Sequence, residues 1–183
     1  MLPPADDQAP REATAAAHEP ARRPGLFWYV TLALIGFDQL TKAIVVRTLG
    51  LYESVQVIPG LLDFTHVRNE GVAFGFLNAY NMPYKTAVTT GLAFVALAGI
   101  AWYARSIGRG EWIARLGLSM ILGGAIGNLI DRLTLGSVVD FVDVYWDAWH
   151  FWAFNVADAS ITLGAVLVFV ELLLVNRHAS DSV

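Results

Sequence analysis

Four stretches of the chain are apolar almost without interruption: Leu26 to Val46, Thr86 to Tyr103, Trp112 to Leu135 and Val156 to Val175. Each approaches the roughly 20 residues an α-helix needs to cross about 30 Å of hydrocarbon, so the pattern predicts four spans. Between the first two, from Leu49 to Met82, the runs shorten and change character. Ser54 to Ile58 and Leu61 to Val67 are rich in β-branched residues and are broken by Pro59-Gly60 and Asn69-Glu70-Gly71, which predicts a small strand-rich piece outside the hydrocarbon. The expected fold class is an all-α membrane protein, four transmembrane helices with an extramembrane β-rich cradle after the first. Residues 25–177 are expected to form one four-span domain, with the β-rich loop at about 49–82 and a short tail at 178–183.

Composition sharpens this picture. Of 183 residues 56% are hydrophobic and only 15% charged, against about a quarter charged in an ordinary soluble domain. Residues Met1 to Pro24 carry almost no large apolar side chain, so they cannot offset the entropy of ordering and are expected to form a disordered tail. The run that follows is too long for a signal-peptide core and lacks a small-residue cleavage site, so it is expected to remain as the first span. A net charge of −4 with scattered basic residues excludes a nucleic-acid surface. The absence of cysteine excludes disulfides, thiolate metal sites and a cysteine nucleophile.

Basic residues give the orientation. Arg11, Arg22, Arg23, Arg105, Arg109, Arg115 and Arg177 flank one side of the predicted spans, and Arg47, Arg68 and Lys85 the other. The excess of the first group places both termini in the cytoplasm. Trp102, Trp112, Trp146, Trp149 and Trp152 fall near predicted span ends, where amphipathic rings favour the interface.

Ionisable groups within spans are costly and require a partner or a purpose. Asp38 and Lys42 are four residues apart on one helical face and are expected to neutralise each other. On that reading Asp38→Ala, which strands Lys42, should be worse than the double change Asp38→Ala with Lys42→Ala. In the third span Gly123 and Gly127 form a small-xxx-small pair suited to close helix approach. Asn128, Asp131 and Arg132 share a face beyond them. Asp140 and Asp143 follow, and Asp158 opens the fourth span. With the orientation above, Asp38, Lys42, Asn128, Asp131, Arg132, Asp140 and Asp158 converge at the outer end of the bundle.

Two aspartates sharing a low-dielectric pocket cannot both ionise easily, so one keeps a proton while the other can take one from water. That is aspartic-protease chemistry, and the residues alone leave Asp131, Asp140 and Asp158 all eligible. Asp143 and Asp147 read as solvated, and Asp158 equally as a helix N-terminal carboxylate. His66 and His150 lack metal-site spacing and read as interfacial. Ser137 and Ser160 sit in no nucleophile motif, although a serine paired with Lys42 is conceivable chemistry. Two other function classes compete: a transporter or proton channel, which liposome flux would reveal, and a non-catalytic assembly factor, which would survive loss of both aspartates.

The stretches Asp38-Gln39-Leu40-Thr41-Lys42, Asn69-Glu70-Gly71-Val72-Ala73-Phe74-Gly75, Gly127-Asn128-Leu129-Ile130-Asp131-Arg132, Val138-Val139-Asp140-Phe141 and Phe154-Asn155-Val156-Ala157-Asp158 occur in this order. Together they resemble the lipoprotein signal peptidase family, signal peptidase II, the membrane aspartic peptidases of bacteria. The resemblance runs from about Leu26 to Val175. It implies that Asp140 and Asp158 are the catalytic pair. It also implies that Asn128, Arg132 and Asn155 line the site, with Asp38, Lys42, Asn69 and Gly71 as further binding or supporting positions. The implied substrate is a prolipoprotein whose lipobox cysteine bears diacylglyceryl, cut just before that cysteine at the outer face of the bacterial inner membrane. Membrane lipid is the other implied partner, and neither metal nor organic cofactor is implied. The aromatic-rich stretch from Phe141 to Ala157 departs from the shorter members, and the tail to Pro24 has no assigned counterpart.

Overall fold

The computed structural model describes residues 24–71, 84–108 and 110–180, with side chains over 25–174 of these. The expected disordered tail, the Val72-Ala73-Phe74-Gly75 stretch and the last three residues lie outside the described residues. Four helices form where the apolar runs predict them: α1 (Pro24–Thr48), α2 (Lys85–Ser106), α3 (Trp112–Leu135) and α4 (Val156–Ser180). All four are long and apolar enough to cross a membrane. Helix α4 continues through residues expected to begin the C-terminal tail.

Helix α3 is the hub. Half of its apolar window is buried inside the protein, against 6% for α2, which leans on the bundle from one side. The reason is its glycines, which let neighbouring backbones approach more closely than a Cβ would permit. A Cβ on Gly123 would lie 3.0 Å from the Thr31 carbonyl oxygen, and one on Gly127 would lie 2.5 Å from Asp38 Oδ2, so the expected small-residue pair faces α1. A second set faces α4. A Cβ on Gly124 would run into the Ala157 carbonyl oxygen, and Gly117 and Gly164 each sit where a Cβ would meet the other's carbonyl oxygen at 2.5 Å.

The all-α expectation needs correcting. An antiparallel four-stranded sheet caps one end of the bundle in the order β1-β2-β3-β4, where β1 is Ser54–Ile58, β2 Leu62–Asn69, β3 Val138–Trp146 and β4 Trp149–His150. Half of it therefore comes from the α3–α4 connection and not from the loop after α1. Asp143 is expected to be solvated, yet with Asp140 it lies within the strand Val138–Trp146. Burial of Asp140 against amide partners overrides the poor strand propensity of aspartate. Gly136 ends α3 in the left-handed conformation, φ 74°, where its N–H reaches the Arg132 carbonyl at 3.2 Å and the chain turns directly into β3. Val45 at the end of α1 packs on Val139 and Phe141, which seats the sheet on the helices.

His66 departs from its expected interfacial place. It is buried on β2, its Nδ1 3.0 Å from the Leu49 carbonyl oxygen, and so belongs to the joint between α1 and the sheet. His150 lies on β4 with Nδ1 2.9 Å from Asp143 Oδ2, so Asp143 is paired and not simply solvated.

Candidate active site

The first turn of α4 organises the site. Asn155 precedes the helix and Asp158 is its third residue. The Asn155 side-chain oxygen accepts the Asp158 N–H at 3.0 Å, and Asp158 Oδ2 accepts the Asn155 N–H at 3.2 Å. This is a reciprocal capping box built from Asn and Asp. It satisfies two backbone donors and fixes the Asp158 carboxyl at the helix N-terminus, as its alternative reading as a helix-terminal carboxylate anticipated. The other Asp158 oxygen accepts Asn128 Nδ2 at 2.8 Å.

Register brings Asp140 to the same place. In the β2–β3 pairing Asn69 lies opposite Val138 and Asp140 opposite Val67, so Asn69 and Asp140 are diagonal neighbours. Asn69 Nδ2 donates to Asp140 Oδ2 at 3.0 Å, while Asn155 Nδ2 donates to Asp140 Oδ1 at 2.7 Å. One asparagine thus touches both carboxyl groups, through its amide to Asp140 and its backbone to Asp158. Asp140 is 2% exposed. Burial first, and then the neighbouring Asp158 carboxylate, push its carboxyl up to about 7, against the opposing hydrogen bonds of Asn69 and Asn155 and the charge of Lys42.

Beneath this pair lies a buried polar cluster. Lys42 Nζ is 2.9 Å from Asp38 Oδ2, 3.1 Å from Asp131 Oδ2 and 2.8 Å from Asn128 Oδ1, so its three N–H bonds all have acceptors. The Asn128 oxygen is thereby held toward Lys42, and its NH₂ is left for Asp158. Asp38 is no mere counter-ion: its Oδ1 accepts the Ala157 N–H at 3.0 Å, an orphan donor of the α4 N-terminus. Asp131 accepts the Val139 N–H at 3.0 Å and so anchors β3 one residue before Asp140.

Arg132 Nη2 reaches the Gly71 carbonyl oxygen at 3.0 Å, and the Gly71 N–H closes a short turn on Asn69 Oδ1 at 2.9 Å. Arg132 Nε is buried without a hydrogen-bond partner among the described residues. All nine residues singled out from the sequence are therefore brought together: Asp140 and Asp158 with Asp38, Lys42, Asn69, Gly71, Asn128, Arg132 and Asn155. Sequence reasoning missed Gln39, whose Nε2 joins Asp131 Oδ1 at 2.9 Å, the Gly127 carbonyl at 3.1 Å and Asp38 Oδ2 at 3.2 Å. Its signal was an amide side chain within the first span, directly beside Asp38.

A serine mechanism finds no geometric footing. Ser160 Oγ donates to the Val156 carbonyl one turn back at 2.8 Å, and Lys42 is fully occupied by other partners. Among the described residues no group of three His, Asp or Glu side chains is placed to hold a metal ion. Two carboxyl groups bridged by amides at one end of an apolar bundle are the equipment of a membrane-embedded aspartic hydrolase.

Comparison with known proteins narrows the class. Residues 30–174 match the family model Peptidase_A8, described as signal peptidase (SPase) II. The chain is 45% identical over 157 residues to the lipoprotein signal peptidase of Geobacter metallireducens, covering 85% of this chain and 94% of the relative. It is 39% identical over 164 residues to that of Solibacter usitatus, covering 86% and 98%. A solved bacterial membrane enzyme, determined by the in meso method at 2.3 Å, superposes with a TM-score of 0.72 at 31% identity over 81% of this chain and 88% of that one. This chain belongs to the signal peptidase II family. It is a membrane aspartic peptidase, and it removes signal peptides from prolipoproteins.

Proposed function

We propose that Asp140 and Asp158 are the catalytic pair and cut the prolipoprotein just before its diacylglyceryl-modified lipobox cysteine. The supporting observation is the single asparagine, Asn155, that touches both carboxyl groups while burial holds the Asp140 proton to about pH 7. Water attacks the scissile carbonyl as one aspartate takes its proton, and the other, protonated, polarises the carbonyl oxygen. Because water is the nucleophile, no acyl-enzyme forms. Asn128 and Asn155 hold the two carboxyl groups in register. Arg132, held by the Asn128 and Gly71 carbonyls, is suited to position the chain around Gly71 beside the substrate backbone.

In this reading the protein crosses the bacterial inner membrane four times with both termini in the cytoplasm, and the sheet with its site faces outward. The substrate's acyl chains remain in the bilayer beside the helices while the peptide extends under the sheet. The test is to incubate purified protein with a diacylated lipobox peptide and follow the released signal fragment by mass spectrometry. Asp140→Asn and Asp158→Asn should each abolish release, because asparagine keeps the shape but cannot exchange a proton. The double variant should be no slower than either single one, since the two act as a unit. Asp143→Asn should stay active. Substantial cleavage by either single variant at wild-type protein levels would overturn the assignment.

A further inference from the structure

Each of the two aspartates proposed as catalytic follows a residue whose backbone N–H is held by a different buried carboxylate. Asp131 Oδ2 accepts the Val139 N–H at 3.0 Å, one residue before Asp140, and Asp38 Oδ1 accepts the Ala157 N–H at 3.0 Å, one residue before Asp158. The two holding carboxylates stand on different helices, α3 and α1. Whatever fixes Asp131 against Asp38 therefore fixes the start of β3 against the start of α4, and with them the separation of the two reacting carboxyl groups.

Two side chains bridge that gap. Lys42 Nζ bonds Oδ2 of both carboxylates. The other is Gln39, whose Nε2 lies 2.9 Å from Asp131 Oδ1, 3.2 Å from Asp38 Oδ2 and 3.1 Å from the Gly127 carbonyl oxygen. All three neighbours are acceptors, so the amide presents its NH₂ to them and turns its oxygen away. Among the described residues Gln39 is the donor to Asp131 Oδ1, while Oδ2 already holds both Lys42 and the Val139 N–H. Gln39 thus completes the Asp131 carboxylate without adding a charge, which a lysine in its place would do. Its third contact ties the amide to the backbone of α3 at the glycine that faces Asp38.

We infer that Gln39 is a positioning residue of the peptidase: it holds Asp131 and Asp38 in register and thereby sets the spacing of Asp140 and Asp158, a role that rests on those two being the reacting pair. Its own contacts are with the holding carboxylates and not with the pair. Without the Gln39 donor, one oxygen of the buried Asp131 carboxylate is left unmatched. The carboxylate is then free to turn, its bond to the Val139 N–H loosens, and β3 starts from a less fixed point. A displacement of that kind, far smaller than one that unfolds the chain, slows a reaction whose groups must meet in one geometry.

Gln39→Met keeps the length of the side chain and removes both donors, and Gln39→His keeps one N–H at nearly the same reach. With purified protein in detergent and a diacylated lipobox peptide, kcat should fall about 10–100-fold in Gln39→Met, the range that a misplaced geometry costs. KM should stay as in the parent, and Gln39→His should give an intermediate kcat. Amide hydrogen exchange followed by nitrogen-resolved NMR on the same samples should show Val139 losing protection in the same order. Val142, whose N–H is bonded to the Phe154 carbonyl at 2.8 Å, should keep its protection. Parental kcat in Gln39→Met, a fall in kcat with Val139 protection unchanged, or a Gln39→His enzyme no better than Gln39→Met would overturn the inference. Should Gln39→Met fail to accumulate, Gln39→His must show both the lower kcat and the partial loss of protection by itself. Full turnover by Asp140→Asn or Asp158→Asn would instead remove the pair that Gln39 is held to position, an outcome read with Gln39 in place.

Discussion

Asn155 holds the site together by serving three ends at once: it caps α4, bonds Asp140, and through its backbone holds Asp158. The Asp140 carboxyl, raised to about 7, makes the pair sensitive to pH in a definite direction. As pH rises through that value the proton held on Asp140 leaves, and the one-proton state that the mechanism requires is lost. Cleavage of the diacylated peptide should therefore fall on the alkaline side with a midpoint near 7. Asn69 favours the ionised form by its hydrogen bond to Asp140 Oδ2, so Asn69→Ala removes a downward pull. The alkaline midpoint should move upward in that variant even where the rate is lower. A pH–rate profile unmoved by Asn69→Ala would show that Asp140 does not govern this limb.

Lys42 is the second residue whose role the structure changes. With Asp38 alone as partner, stranding Lys42 would be the worst change. The structure instead gives a cluster of Asp38, Lys42 and Asp131, in which Lys42 Nζ lies 2.9 Å from one carboxylate and 3.1 Å from the other. Lys42→Ala leaves both carboxylates together in a buried place and should cost about 3–5 kcal/mol, the scale of breaking a buried pair from one side. Asp38→Ala keeps Lys42 and Asp131 matched, losing chiefly the acceptor for the Ala157 N–H. The expected order of membrane accumulation is Asp38→Ala above the double variant, and the double variant above Lys42→Ala. This reverses the single-against-double ranking that the sequence suggests. Quantitative blotting of membranes at equal expression checks it.

Among the elements, α3 and α4 meet where Gly117, Gly124 and Gly164 let their backbones approach each other directly. A Cβ on Gly124 would collide with the Ala157 carbonyl, in the turn that carries Asp158, while one on Gly99 in α2 would meet nothing within 4 Å. Alanine gains roughly 0.5–1 kcal/mol over glycine from helix propensity. Forcing a methyl into a packed contact loses about 1–3 kcal/mol or more. Gly99→Ala should therefore match or slightly raise the thermal midpoint in detergent, whereas Gly124→Ala should lower it and reduce cleavage by displacing Asp158. Equal midpoints for the two variants would show that the α3–α4 approach does not limit stability.

For the molecule as a whole, the four apolar helices and the sheet at one end of them set a topology that is open to a direct check. A reporter fused after Val183 should lie in the cytoplasm, and one inserted at Ala148, in the β3–β4 hairpin, should lie outside. Both on one side would overturn the four-span topology, since α4 lies between the hairpin and Val183, and the reversed placement would overturn the orientation inferred from the arginines.

Helix number and placement were legible in the chain because lipid imposes a length and an apolarity that any run of about 20 residues reveals without reference to its neighbours. The polar residues of the site were legible for the complementary reason, since Asp38, Lys42, Asn128 and Asp131 stand out in segments where charge is expensive. Choosing two aspartates among three took more than their chemistry, and the resemblance supplied the expectation. What only tertiary structure decided depends on register and on backbone proximity. Asp140 lies on a strand because β2 pairs beside it, Lys42 answers two carboxylates because Gly127 lets α1 approach α3, and Asp38 reaches the Ala157 N–H because α4 starts against α1. None of these leaves a local trace in the order of residues. Each is a contact between segments far apart in the chain, and it exists only once the helices have packed.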